Sequence, residues 1–473
     1  MSTGSTLGPT PAGLAQLGRV HFLGLAGVGV SAVARLMLAA GVPISGTDAK
    51  ELPVLDEFRA AGVPVRVGYS AENIASVEAE TGQRISTVIA SSVATAGNPE
   101  YDAAAAAGAR LLHRSEGLAA CMASRRAIAV AGTHGKTTTS SMTAVMFSEL
   151  GLDPSFAIGA TVAGLGSNAK LGTGEWFVAE ADESDGSLLN YTPEVAVVTN
   201  VEPDHLDHYG TAEAVERVFE EFTERITSGG ALVLCLDDAG AAALLDRVRD
   251  QLTHRRIRIL TYGTHPEASL RLRDISTSGA GQSAILSLPG EQATLALPVP
   301  GLHNALNAAA AVAAGIAAGL RLGDCTAAVG QFTGSSRRFE LRGEAAGVLV
   351  YDDYAHHPTE VAAVLAAARS AAPGKVHAVF QPHLFSRTRD FAAEFGRQLS
   401  AADTVTVLEI YPAREQPIAG VSAELLGHPV LQPQEAAAAV AAAAEPGDMV
   451  LTIGAGDITH LGPQILAALQ ERQ

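Results

Sequence analysis

The sequence predicts an α/β protein of mostly parallel sheets divided into three blocks, and three observations carry that expectation. Short apolar runs alternate with Ala- and Leu-rich helical stretches almost throughout: 19–23, 87–90, 127–131, 175–179, 195–199, 347–351, 376–380, 404–408 and 449–453. Several read Val, Ile and Ala at nearly every position, the pattern of strands buried on both faces between helices. Gly-rich or polar turns follow these runs in three clusters, which divides the chain into 1–116, 117–334 and 335–473. A length of 473 residues agrees with that division, at roughly 150 residues per domain.

The composition fits such a protein. Hydrophobic residues make up 47% and charged residues 17%, which supplies real cores and excludes a disordered or collagen-like chain. The formal net charge of −18 argues against general binding to nucleic acid or anionic membranes and leaves only local basic pockets. Lys50, Lys136, Lys170 and Lys375 are the only lysines, so one inside a Gly-rich loop stands out. Cys121, Cys235 and Cys325 lie far apart without CxxC spacing, which predicts neither a disulfide framework nor a cysteine zinc site and suits a reducing cytoplasm. Residues 1–18 are rich in Ser, Thr, Gly and Pro and lack the basic and apolar regions of a signal peptide, so a loose arm is expected. The longest apolar run, 308–320, is too short to span a bilayer, and a soluble, cytoplasmic protein is expected.

In the first block, strand 19–23 runs into Gly24-Leu25-Ala26-Gly27-Val28-Gly29, a helical run at 31–40 and a short strand ending at Asp48. Gly24, Gly27 and Gly29 let the backbone approach a pyrophosphate at a helix N-terminus, and Asp48 is placed to meet a ribose hydroxyl. The spacing is GxxGxG, not GxGxxG, so a nucleotide or nucleotide-sugar site is favoured over NAD. A tight structural turn is the alternative.

The second block opens on Ala131-Gly132-Thr133-His134-Gly135-Lys136-Thr137-Thr138-Thr139, between an apolar strand and a helical stretch. Backbone N–H groups from Gly132, Thr133, His134, Gly135 and Thr138 can cradle phosphates there. Lys136 can reach the transferred phosphoryl group and the Thr137 hydroxyl can ligate Mg2+. Val130 stands where GxxxxGK[ST] needs glycine, so the loop is a shortened one. Two later strand ends carry Glu180-Ala181-Asp182-Glu183-Ser184-Asp185 and Asn200-Val201-Glu202-Pro203-Asp204-His205, from which Glu180 and His205 are the expected metal ligands. Asn304 and Asn307 fall on one helical face after Gly301, where amides can recognise adenine; helix capping by Asn304 is the alternative. Residues 264–300 read as a different, β-rich insert with Gly, Ser and Pro turns.

The third block follows Gly334-Ser335-Ser336-Arg337-Arg338. It carries Asp352-Asp353-Tyr354-Ala355-His356-His357-Pro358 and Gln381-Pro382-His383-Leu384-Phe385-Ser386-Arg387 after two strands, with Pro358 expected at a helix start. Tyr354, His356 and Arg387 would form a polar pocket able to hold a carboxylate, with Arg387 as the fork. The turns at 411–415 and 454–457 either close the same crevice or are plain turns.

Six of these strings, AGTHGKTTT, AEADESDGS, TNVEPDHLD, GLHNALNAAAA, DDYAHHPTE and FQPHLFSRTRD, resemble the motifs of the Mur ligase family and stand in that family's order. The resemblance covers residues 19–470 and implies three domains. These are an N-terminal Rossmann-like domain for a UDP-sugar at 1–116, a central P-loop ATPase-like domain at 117–334, and a C-terminal Rossmann-like domain on the amino-acid side at 335–473. It implies ATP-dependent amide formation: the γ-phosphoryl group moves to the lactyl carboxylate of UDP-N-acetylmuramate, and the amine of L-alanine displaces phosphate from the acyl phosphate. It assigns Lys136 and Arg338 to the phosphates of ATP, Asn304 and Asn307 to adenine, and Thr137, Glu180 and His205 to Mg2+. Tyr354, His356 and Arg387 go to the amino acid, and Gly24, Gly27, Gly29 and Asp48 to the UDP-sugar. Lys136, His205, Arg338, His356 and Arg387 form the implied catalytic set.

Two positions depart from the pattern. Leu384 stands where some members carry Arg, and no lysine lies between Lys170 and Lys375 to supply the carbamylated lysine that many members use. The nearest rival function is a murein-peptide ligase adding a tripeptide to the same sugar nucleotide. More distant are a dinucleotide-dependent oxidoreductase, which leaves the Lys136 loop unexplained, and a non-catalytic nucleotide switch, which leaves the third block without a role. The sequence leaves monomer and homodimer equally open.

Overall fold

A computed structural model describes residues 13–472 apart from 92, 93, 279, 280 and 414. The first twelve residues of the expected N-terminal arm, and Arg414 in the 411–415 turn, lie outside the described residues. Each of three sheets is flanked by helices, in the three-domain α/β arrangement that the strand spacing predicts.

The first sheet is all parallel, in the order Val65–Val67, Ile44–Asp48, Arg19–Leu23, Ile85–Ala90, Arg110–His113. Arg19–Leu23 is buried beyond its first residue and lies where the strand order reverses, so Gly24 opens onto the crevice at the strands' carboxyl ends.

The central sheet has ten strands, with Arg126–Ala131 between Val195–Val198 and Trp176–Glu180. The register Val195↔Ile128 on one side and Arg126↔Trp176 on the other ends all three strands at one level. The Gly132 loop, the Glu180 acids and the Asn200–His205 turn therefore emerge side by side. The helix Lys136–Glu149 is buried on nearly all sides, packed between this sheet and the helix Leu302–Ala317. Alanines 308–311, 313 and 314 are fully buried in that second helix, and their small side chains permit the close approach. The apolar run is thus a core helix.

The β-rich stretch expected to be a different insert extends the central sheet. Leu270–Ser278, Gly281–Leu288 and Glu291–Leu297 form an antiparallel meander, joined in parallel to Arg258–Gly263 by Tyr262↔Leu270 and Gly263↔Arg271. The third sheet runs Glu340–Ala345, Val348–Asp353, Met449–Ile453, Val376–Phe380, Thr404–Val407, with only its first pair antiparallel. Pro358 opens the helix Pro358–Ala371 behind a capping box formed by His357 and Glu360.

Candidate active site

Two glycines shape the phosphate loop. Gly132 has φ +131°, and a Cβ there would collide with Thr199; Gly135 has φ +80°, and its Cβ would lie 2.6 Å from Asn307 Oδ1. The loop is tied to the neighbouring strand end, since the His134 N–H donates to Asn200 Oδ1 (2.7 Å) and the Glu202 N–H donates to Thr133 Oγ1 (2.9 Å).

Lys136 Nζ spends its three donors on Gly132 O (2.7 Å), Thr133 O (3.0 Å) and Glu183 Oε1 (2.9 Å). Burial would lower its pKa, but Glu183 and Asp182 outweigh that and raise it. Burial pushes Glu183 up to about 7 against the pull of Lys136, whose Nζ also lies 2.8 Å from Glu183 Oε2.

The Thr137 hydroxyl donates to Glu180 Oε1 (3.0 Å), and the Gly159 N–H donates to Glu180 Oε2 (2.7 Å). His205, in left-handed conformation at φ +55°, holds Nε2 3.6 Å from both Glu183 Oε1 and Asp204 Oδ2. Burial lowers its pKa and leaves the imidazole neutral, as a metal ligand must be. One hydroxyl, the carboxylates and a neutral imidazole make a donor set that fits Mg2+ beside a phosphate loop.

Behind the loop, a cavity of about 160 Å3 is lined by Thr138, His303, Asn304, Asn307, Phe332 and Arg338, among others. Gly301, not Asn304, is the N-cap of the helix Leu302–Ala317. Asn304 Nδ2 instead donates to Pro300 O (2.7 Å), and Asn307 Oδ1 accepts from the Thr139 hydroxyl (3.2 Å).

The third block closes over this site. Arg338 Nη2 lies 3.5 Å from Thr137 Oγ1, and its guanidinium sits 5.2 Å from the Tyr354 ring centroid. The His356 N–H donates to Glu360 Oε2 (2.9 Å), and its Nδ1 lies 3.0 Å from Tyr354 O. Burial lowers the His356 pKa to about 3, so its ring is neutral. Arg387 Nη2 alone donates to both carboxylate oxygens of Asp204 in the central block, at 2.9 and 3.2 Å, with both side chains under a tenth exposed. Burial opposes ionisation of Asp204, but Arg387 and His205 hold its pKa below the usual carboxylate range.

A larger cavity of about 670 Å3 is shared by all three blocks, with Ala26, Val28 and Arg35 from the first, Lys136 and His205 from the second, and Tyr354 and His356 from the third. In the first block the Gly24 N–H donates to Thr47 O (2.9 Å) and the Gly27 N–H to Gly24 O (3.0 Å). Gly29 lies against Arg114, where a Cβ would be 3.4 Å from its side chain. Asp48 accepts from the Ala26 N–H (2.8 Å) and the Lys50 N–H (3.2 Å), so its carboxylate braces the Gly-rich turn. The described residues of the 411–415 and 454–457 turns line neither cavity; Asp457 instead accepts from Gln381 Nε2 (2.7 Å).

Sequence reasoning did not single out Glu183, Asp204 or Glu360. Each sits within a quoted motif, and only the strand order tells which acid of a cluster faces Lys136, Arg387 or His356.

Three family models match the chain: "Mur ligase family, catalytic domain" over residues 19–126, "Mur ligase middle domain" over 130–315, and "Mur ligase, glutamate ligase domain" over 337–456. Among curated relatives, a UDP-N-acetylmuramate–L-alanine ligase of Paenarthrobacter aurescens is 56% identical, covering 97% of this chain and 98% of its own. One from Kineococcus radiotolerans is 52% identical over 98% and 100%. Among solved structures, the UDP-N-acetylmuramate-alanine ligase of Thermotoga maritima superposes with TM-score 0.77 at 26% identity, covering 96% of this chain and all of its own. A murein peptide ligase of Psychrobacter arcticus gives 0.69 at 24% identity over 96% and 98%, a likeness of fold.

Proposed function

The chain belongs to the Mur ligase family, and from that premise we infer that it joins L-alanine to the lactyl carboxylate of UDP-N-acetylmuramate with cleavage of ATP to ADP and phosphate, a step of peptidoglycan precursor synthesis. Curated relatives named for that reaction match over almost the whole chain. The observation that carries the chemistry is the shared crevice, lined by Lys136, Arg338, the Thr137–Glu180 pair and His356.

A carboxylate does not accept an amine at neutral pH, so phosphorylation supplies a leaving group. The γ-phosphoryl group passes to a lactyl carboxylate oxygen, and the alanine amine then attacks the acyl carbon and expels phosphate. Lys136 exchanges its loop carbonyls and Glu183 for phosphate oxygens, and Arg338 brings a second positive charge to the same oxygens. Thr137, Glu180 and His205 would hold Mg2+, which shields phosphate charge when bound. Asn304 and Asn307 frame the adenine, and the loop N–H groups of Gly132, Thr133, His134, Gly135 and Thr138 receive the phosphates. His356 is held neutral, so it positions the incoming amine without placing a charge against it. Tyr354 walls the same side, and Arg387 fixes Asp204 and the C-terminal block over the crevice. Gly24, Gly27, Gly29 and Asp48 form the turn that receives the UDP-sugar.

We assign 1–116 to the sugar nucleotide, 117–334 to ATP and 335–473 to the amino acid. Among the described residues no helix is long and apolar enough to cross a membrane. We place the enzyme in the cytoplasm, in keeping with three buried, unbridged cysteines.

Phosphate release from Mg-ATP and UDP-N-acetylmuramate, measured with L-alanine and with the murein tripeptide in turn, tests the reading. Release with L-alanine and an amide product of matching mass is expected. Turnover with the tripeptide alone would replace it with the murein-peptide ligase.

A further inference from the structure

We propose that Glu360 is a positioning residue for the reaction assigned above: one of its carboxylate oxygens holds the phosphate loop and Arg338, the other holds the His356 turn, and the nucleotide and acceptor sides of the crevice thereby keep one geometry. The proposal rests on that assignment. The cavity of about 160 Å3 and the larger one of about 670 Å3 are both lined by His134, Gly135, Arg338 and Glu360. Among the described residues, Glu360 is the one carboxylate that lines both.

The two oxygens face different partners. Oε2 accepts from the backbone N–H groups of His356 (2.9 Å) and His357 (3.2 Å), which is its part in the capping box of the helix Pro358–Ala371. His356 Nδ1 lies 3.3 Å from the same oxygen and 3.0 Å from Tyr354 O. Two acceptors on that side place the ring proton on Nδ1 and leave Nε2 as the acceptor, the form that can receive an N–H of the incoming amine. Oε1 faces the nucleotide side, 3.3 Å from His134 Nδ1 and 4.0 Å from Arg338 Nη1.

Capping a helix requires neither burial nor these cations. The Glu360 side chain is only 12% exposed. Burial opposes its charge, yet the His356 and His134 rings and the Arg338 guanidinium hold its pKa well below the usual carboxylate range. Glu202 faces His134 from the other side, with Oε2 3.6 Å from Nε2, and the His357 ring centroid lies 4.6 Å from that of His134. Asp238, at the N-cap of the helix Ala239–His254, is within electrostatic reach of the same ring. Without the Glu360 charge, His134 keeps Glu202 alone as a close carboxylate, and Arg338 loses the anion that aims it from the C-terminal block.

The test compares Glu360→Gln with Glu360→Ala in the full-length protein, each checked by far-UV circular dichroism. A Gln amide still accepts from the His356 and His357 N–H groups, because a capping box takes Gln as well as Glu, so that variant loses only the charge. Glu360→Gln should keep the wild-type KM for UDP-N-acetylmuramate and lose roughly 10- to 100-fold in kcat. In spectra of the protein with 13C-labelled histidine, the signal missing from His134→Gln identifies His134. Its pKa, about 9 in the wild type, should fall by about one to three pH units in Glu360→Gln. Wild-type kcat in folded Glu360→Gln with loss only in Glu360→Ala, or an unmoved His134 pKa, would overturn the proposal. In the wild type alone, a His134 signal titrating at its ordinary value of about 6.5 overturns it without any variant. Should the wild type form no amide from L-alanine, the assigned reaction fails, and the His134 titration still decides whether Glu360 ties the phosphate loop to the C-terminal block.

Discussion

Lys136 has three acceptors in this structure, and two of them are carbonyls of its own loop. Lys136→Ala removes the charge that, in the proposed reaction, meets the transferred phosphoryl group, and it also strips the buried Glu183 of its partner, so far-UV circular dichroism should first establish that the variant is folded. Its kcat for phosphate release should fall by a factor on the order of 10²–10³ or more, about 2.7–4 kcal/mol of barrier; retention of wild-type kcat would refute the role. His134 supplies a pH prediction. Burial would lower its pKa, but Glu202 and Glu360 outweigh that and hold it up to about 9. A folded pKa above the unfolded value of about 6.5 stabilises the protein fully below pH 6.5, and that contribution is lost as pH rises through 9. Glu183, raised to about 7, has finished titrating by pH 8. Between pH 8 and 9.5 the wild-type melting temperature should thus fall more steeply than that of His134→Gln, and parallel slopes would contradict the pairing. The strand–loop–helix setting of Lys136 and Thr137 was legible, because glycines between an apolar run and a helical stretch signal that turn. Glu183 was not, because composition does not separate it from Asp182 and Asp185, and only the folded turn points it at Lys136. Asp48 is a related case, since its spacing suggested a ribose contact and its carboxylate accepts two backbone N–H groups.

The strand-loop-helix element around Gly132 and Gly135 depends on backbone that other residues adopt with difficulty. Gly132→Ala combines φ +131° with a collision at Thr199, and Gly135→Ala drives a methyl into Asn307. We expect each to lose about 2–3 kcal/mol in chemical denaturation, and ADP affinity should fall further in Gly135→Ala because Asn307 lines the cavity to which we assign adenine. Leu384 is the N-cap of the helix Phe385–Leu399 at φ +71° and carries that strain with a branched side chain. Leu384→Gly should raise the stability of the protein, measured as the urea midpoint, by about 1 kcal/mol, and a lower midpoint would show that its packing outweighs the strain. Buried parallel strands announce themselves as unbroken apolar runs, so the sheets were legible. Continuity of the 264–300 stretch with the central sheet was not, because it rests on the two pairings Tyr262↔Leu270 and Gly263↔Arg271.

At the scale of the whole molecule, residues far apart in the chain converge on one crevice, and interblock pairs hold them there. Arg387–Asp204 is the most buried of these, and Thr359–Glu202 and Arg114–Asp182 stand at its margins. Asp204→Ala leaves the Arg387 charge unpaired between two blocks and should destabilise the closed arrangement by roughly 3–5 kcal/mol. Small-angle scattering should show the wild type compacting with an ATP analogue plus UDP-N-acetylmuramate, and the variant compacting less. The choice of Asp204 as the partner of Arg387 could not be read from the sequence, because 183 positions separate them. The most direct test of the account labels the lactyl carboxylate of UDP-N-acetylmuramate with 18O and follows the label into released phosphate by mass spectrometry. One 18O atom per phosphate, in step with amide formation to L-alanine, is the predicted result; phosphate released without label would contradict activation through an acyl phosphate.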